Sequence, residues 1–258
     1  MKNLQREDMS TFIKKLKKVS YGSMRPMGFG EQKENEELKP LLVFYIHEPI
    51  LKKLSEDFAG ADAILLDLAG IKKEELKEFI SSSGRVAWGS WLEETGSSQV
   101  KQAEEAGFDF IAFDEGSALG SILENGRLGR IIKLDASLDE SLLKIVGGMP
   151  VDAVLLSGDY LGEECLKWHH LMLLKRFAGV LPQPLMVAIP ENLGDSELKA
   201  LWDMGVDGFT LELKEGRPVE NLSRTRKQID TIKWPRRHDK SKKGALLPGV
   251  GFDKETDE

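Results

Sequence analysis

The chain predicts an α/β fold in which eight short parallel strands alternate with helices, and three observations carry that prediction. Four segments repeat one pattern of a small-residue opening, an aspartate, an apolar run and a polar end: GADAILLDLAG from Gly60, GFDFIAFDEGS from Gly107, PVDAVLLSGDY from Pro150 and GVDGFTLELKE from Gly205. A second set of apolar runs lies between them: PLLVFYIHE from Pro40, RVAWGSWLE from Arg85, RIIKLDAS from Arg130 and PLMVAIPEN from Pro184. All eight are short and rich in Val, Ile, Leu and Phe, the pattern of parallel strands covered on both faces.

Amphipathic stretches separate the runs and predict helices over 49–59, 72–82, 97–106, 117–124, 138–146, 161–178, 195–204 and 217–231. Pro49 suits a first helical position, where its missing N–H costs least, and Gly60, Gly84, Gly107, Gly147, Gly179 and Gly205 stand at or just past helix ends. This uninterrupted (βα)8 series from Pro40 to Ile232 resembles the TIM barrel. An open doubly wound sheet would favour a glycine-rich loop after its first strand, and the chain has IHEPILKK there. The expected organisation is a barrel over 40–233, an N-terminal helical extension over 1–39 packing on it, and an irregular, mobile C-terminal tail over 234–258. Within the extension, the basic segment from Thr11 to Val19 puts Phe12, Ile13, Leu16 and Val19 on one helical face, suited to lie against the barrel.

Composition bounds the function. The 258 residues carry a net charge of −7, which gives no general attraction to nucleic acid. The single cysteine excludes an intrachain disulfide. No apolar run is long enough to span a membrane, and the N-terminus lacks the apolar core of a signal peptide. A cytoplasmic enzyme with a small-molecule substrate is expected, with a non-catalytic small-molecule-binding barrel as the alternative and homo-oligomerisation left open.

Chemistry in such barrels gathers at the C-terminal ends of the strands, and residues two apart on a strand share a face. Aligning the even strands on Asp62, Asp109, Asp152 and Asp207 brings Asp67, Asp114, Ser157 and Glu212 to equivalent inward positions at the strand ends. The leading aspartates themselves belong at the opposite end, as caps of turns or partners of the preceding loop. On the odd strands, the same parity as Lys133 selects Tyr45 and His47, Trp88 and Ser90, Lys133 and Asp135, and Val187, Ile189 and Glu191. The result is an acidic cup around one lysine, with Lys214 on an adjoining loop.

Lys133 resembles the Schiff-base lysine of class I aldolases and related lyases in sitting at an inward strand position; that resemblance implies a nucleophilic amine with a neighbouring acid moving protons. Its acidic neighbours argue the other way: they keep the ammonium charged, which suits an anchor for a substrate carboxylate or a structural ion pair. His47 stands where a general acid or base is needed, and Asp135 shares the wall with Lys133. Tyr45, Ser90, Ser157, Glu191 and Lys214 are the expected substrate contacts. Asp67, Asp114 and Glu212 form a hard-oxygen set of the kind that Mg²⁺ or Mn²⁺ prefers. The loops after the last two strands, PENLGDSE and ELKEGRPVE, each hold a single glycine and fit an FMN or other phosphate less well. Trp91 is a candidate pocket or interface wall, and His169 and His170 with Trp168 and Met172 are candidates for packing or subunit contact.

Overall fold

The computed structural model describes residues 10–22, 37–46, 60–67, 80, 86–92, 97–124, 126–156, 165–213 and 220–235. In chain order these form α1 (Thr11–Tyr21), β1 (Leu41–Ile46), β2 (Ala63–Asp67), β3 (Ala87–Trp91), α2 (Ser97–Ala106), β4 (Phe110–Phe113), α3 (Leu119–Glu124), β5 (Gly129–Leu134), α4 (Glu140–Gly147), β6 (Ala153–Leu156), α5 (Trp168–Val180), β7 (Leu185–Ala188), α6 (Asp195–Met204), β8 (Gly208–Leu213) and α7 (Glu220–Thr231). The eight strands close into a barrel in sequence order. Every neighbouring pair is parallel, including β1 with β8, where Leu41 lies opposite Gly208 and Tyr45 opposite Glu212. The expected helices over 49–59 and 72–82 lie outside the described residues, apart from Ile80. No helix among the described residues is long and apolar enough to cross a membrane.

Strand alternation divides the core into two layers. Leu42, Phe44, Ile64, Leu66, Ile111, Ile132, Val154, Leu156, Val187, Phe209 and Leu211 face outward and pack beneath the helices. Leu41, Val43, Ala63, Leu65, Phe110, Ala112, Ile131, Ala153, Leu155 and Met186 face inward and form a second cluster with α1. The inward layer mixes large residues with very small ones for a steric reason. A Cβ on Gly89 would stand 2.1 Å from the Phe110 ring, and one on Gly129 would stand 2.5 Å from Ile13 Cγ1.

Helix α1 closes the barrel at the N-terminal ends of the strands. Phe12, Ile13, Leu16 and Val19 are buried in the inward cluster, and the Phe12 ring stacks on Phe110 with centroids 4.9 Å apart. Asp109 holds the helix in place: its carboxylate accepts from Ser10 Oγ at 2.5 Å, Thr11 N at 2.8 Å, Thr11 Oγ1 at 2.9 Å and Phe12 N at 2.9 Å. A carboxylate at a helix N-terminus satisfies N–H groups that lack intrahelical partners and meets the positive end of the helix dipole. Ser10 adds the cap itself, accepting from Ile13 N at 3.1 Å. Lys17 pairs with Asp152 at 3.0 Å, and Tyr21 donates to Pro182 O at 2.6 Å.

The other three leading aspartates share one device. Asp62, Asp152 and Asp207 each accept, through the carboxylate, the backbone N–H of a residue at the start of the preceding odd strand: Leu42 at 2.9 Å, Arg130 at 3.1 Å and Leu185 at 2.8 Å. Their own N–H groups donate to the carbonyl oxygens of the same three residues at 2.8, 2.8 and 2.7 Å. Asp109 N donates likewise to Trp88 O at 2.7 Å, but its carboxylate is turned to α1. In three of the four quarters the repeated aspartate is therefore a brace between the two strands, and in the fourth it ties α1 to β4.

Two strands differ in register from the sequence expectation. On β3, Ala87, Gly89 and Trp91 face inward, while Trp88 packs in the outward layer and Ser90, fully buried, lies opposite the outward residues Leu66 and Ile111. The run AWGSW has a tryptophan on each parity, and the Phe110 ring decides between them, because only Gly89 leaves it room. On β7, Met186 faces inward, whereas Val187 and Ile189 face the helices. That strand is apolar throughout and offers no polar residue to mark a face.

Candidate active site at the barrel mouth

Three adjacent strands end in polar residues on the inward face. Tyr45 near the end of β1 stands opposite Glu212 on β8, and Asp67 ends β2 opposite Trp91 on β3. The Tyr45 and Trp91 rings lie 5.7 Å apart, tilted by 42°. Across the mouth, β5 places Lys133 with its Nζ over the Trp91 ring, 5.5 Å from the centroid, within the range where an aromatic face attracts an ammonium. Leu155, the β6 neighbour of Lys133, forms part of the apolar floor. Thr210 lies two residues before Glu212 on the same face; its Oγ1 is fully buried and has no hydrogen-bond partner. A buried hydroxyl without a partner is uncommon, and it puts a polar atom into the otherwise apolar cup floor.

Burial pushes the Tyr45 phenol well above its ordinary range, and the charges of Asp67 and then Glu212 push it further. The hydroxyl therefore stays protonated at neutral pH and enters chemistry as a hydrogen-bond donor.

Asp114 and Asp135 have a different occupation. Asp114 Oδ1 accepts from Gly116 N at 3.1 Å and Ser117 Oγ at 3.3 Å, and Asp135 Oδ1 accepts from Ser137 N at 2.7 Å. Both are side-chain braces of the turn that follows their strand. Hydrogen bonds from Ser137 hold the Asp135 carboxyl below the usual carboxylate range, with Lys133 contributing least. Asp135 is exposed, as is Glu212 on β8.

Of the remaining expected site residues, Ser90 does not reach the cup; it faces the helices, and its Oγ donates to Trp91 O at 3.3 Å. Glu191 lies in the turn after β7 and not on an inward strand position. His47, Ser157 and Lys214 lie outside the described residues. Asp67, Asp114 and Glu212 do not converge as a ligand set: among the described residues no three His, Cys, Asp or Glu side chains are grouped to hold a metal ion. Trp91 is the residue that strand parity misassigned; the signal for it was Gly89, whose lack of a side chain permits an inward neighbour as large as Phe110.

No protein-family model and no curated protein sequence matches the chain. Among solved structures, mutant forms of the tryptophan synthase α-subunit from the hyperthermophile Pyrococcus furiosus superpose on it with TM-scores of 0.58, 0.57 and 0.58 at 14% identity, over 74% of this chain and 97% of theirs. The chain is a TIM barrel, similar in fold to these α-subunits.

Proposed function

We propose that the chain is a metabolic enzyme of the lyase, aldolase or isomerase type, acting on a small carbonyl or carboxylate compound at the C-terminal mouth of the barrel. One observation carries this reading: Lys133, an inward cation on β5, sits over Trp91 and shares the mouth with Tyr45, Asp67 and Glu212. A carbonyl or carboxylate oxygen entering the cup meets the Lys133 side chain in a partly desolvated site. Tyr45 donates a hydrogen bond, and Asp67 or Glu212 takes up a proton released at the adjacent carbon. Where the compound is an aldehyde or ketone, the neutral amine attacks the carbonyl carbon, an imine forms and one water leaves. His47 is assigned the general acid or base role, Asp135 a supporting one, and Ser157, Glu191 and Lys214 substrate contacts.

Sharing a fold with subunits of tryptophan synthase accords with work on small metabolites, and is the weaker support. The reading includes a cytoplasmic location and an organisation of barrel 40–233 with an N-terminal extension over 1–39 packing on it and a C-terminal tail over 234–258.

The test is borohydride trapping with a panel of 2-oxo acids and aldehydes, read by mass spectrometry of the peptide containing Lys133, beside thermal shifts of the wild type and Lys133→Met with the same panel. A reduced adduct at Lys133 establishes the imine route. A carboxylate-dependent stabilisation that vanishes in Lys133→Met, without adduct, establishes the anchor. Neither adduct nor stabilisation overturns the reading.

A further inference from the structure

All of the exposed large apolar side chains among the described residues lie between 119 and 172. Leu119 and Leu123 stand one turn apart on α3, Leu142 and Ile145 one turn apart on α4, and Trp168 and Met172 one turn apart on α5. These helices follow β4, β5 and β6, which are neighbours in the barrel, so the three pairs belong to one side of the outer ring. No large apolar side chain of α2, α6 or α7 is exposed among the described residues. Trp168 is 83% exposed and Met172 72%, beside a buried His170 that anchors the same helix through a 3.0 Å bond from Lys167 N to its Nδ1.

We propose that this face is the interface of a homodimer, with the α3, α4 and α5 stripes of one copy laid against those of a second copy. At roughly 150 to 250 Å² for each large side chain, the exposed fractions amount to on the order of 700 Å². Each partner of a standard-size interface contributes ~800 Å², and patches on monomers seldom exceed about 600 Å². Charge selects a like partner. The chain as a whole carries −7, yet this face mixes signs: Glu140 pairs with Lys144 at 2.7 Å on α4, Glu124 ends α3, and Lys175 is exposed on α5. A second copy therefore meets no net repulsion, whereas a polyanion would need a basic excess that this face lacks. A two-fold pairing buries each stripe once on each copy and leaves no open edge for further growth.

Sedimentation velocity on the full-length chain over a hundredfold dilution series is the deciding experiment. The wild type is expected at twice the chain mass at the upper concentrations. The double variant Trp168→Glu, Met172→Glu, at positions that pack against nothing in the core, is expected to sediment at the single-chain mass with unchanged circular dichroism and melting, and Ile145→Glu is expected to do the same. Removal of 236–258 should leave the dimer intact. Wild-type chain that stays at single mass throughout overturns the inference, as does a dimer that survives both variants. A truncated chain that dimerises where the full-length chain does not assigns the face to the tail, and overturns it too.

Discussion

The two ends of the barrel are built from the same residue types and treat them in opposite ways. At the N-terminal end, Asp109 accepts four hydrogen bonds, Asp62, Asp152 and Asp207 each brace a strand pair, and α1 seals the opening with Phe12 and Leu16. At the C-terminal end, Asp67 and Glu212 act on Tyr45 through their charge, Lys133 lies over the Trp91 ring, and Thr210 Oγ1 is buried without a partner. Carboxylates that accept from fixed N–H donors tie the elements together and add stability, whereas the carboxylates near Tyr45 act on it through charge and hold it protonated. The bottom is organised for holding the fold, and the mouth gathers ionisable groups.

Substitutions that empty the bottom should therefore be the most damaging. Phe12 is fully buried and stacked on Phe110, so Phe12→Ala is expected to cost about 3 to 5 kcal/mol in denaturant unfolding. An effect below about 1 kcal/mol would mean that α1 is an attachment and not a structural plug. Asp109→Ala comes next. It strands the Thr11 and Phe12 N–H groups and removes the tie between α1 and β4, with an expected loss of about 2 to 4 kcal/mol and faster amide exchange across α1. Asp109→Asn, which keeps one acceptor oxygen, should recover part of it. A difference between Asp207→Ala and Asp114→Ala tests the comparison directly. Asp207 is buried and serves Leu185 N, so its loss should cost about 1 to 3 kcal/mol; Asp114 braces a surface turn and should cost within about 0.5 kcal/mol.

The fold was legible because its signal is repeated. Eight apolar runs, glycines at helix ends and four leading aspartates agree with each other, and the agreement survives an error in any one strand. The inward positions of Tyr45, Asp67, Lys133 and Glu212 followed from strands in which a polar residue interrupts an apolar run and so marks its face. Where the run is uniformly apolar, as in LMVAI of β7, or has a bulky residue on both parities, as in AWGSW of β3, alternation cannot choose. Volume chooses instead, through Phe110 and Gly89. That Asp114 and Asp135 brace the turns after their strands was not legible, because an aspartate at a strand end looks the same whether it turns toward the pore or braces the next turn. Their spacing to Gly116 and Ser137 is the feature that separates the two.

The smallest expected effect concerns the electrostatics of the mouth. Burial and two carboxylates raise the Tyr45 pKa above its value in the unfolded chain, 10.0, so deprotonation is harder in the folded state. The contribution is fully present below that value and is lost as pH rises above it, because the unfolded chain releases the proton first. Ultraviolet titration of the phenolate should thus show one tyrosine ionising only with alkaline unfolding, assigned by its disappearance in Tyr45→Phe; Tyr21 is also pushed up, by burial and by Asp207, and must be separated in this way. Asp67→Asn should bring the Tyr45 ionisation to lower pH and Glu212→Gln should do so less, following the order of their contributions, with no loss of stability at neutral pH in either. If neither variant moves it, burial alone holds the phenol, and Asp67 and Glu212 lie too far from Tyr45 to act with it on a bound compound.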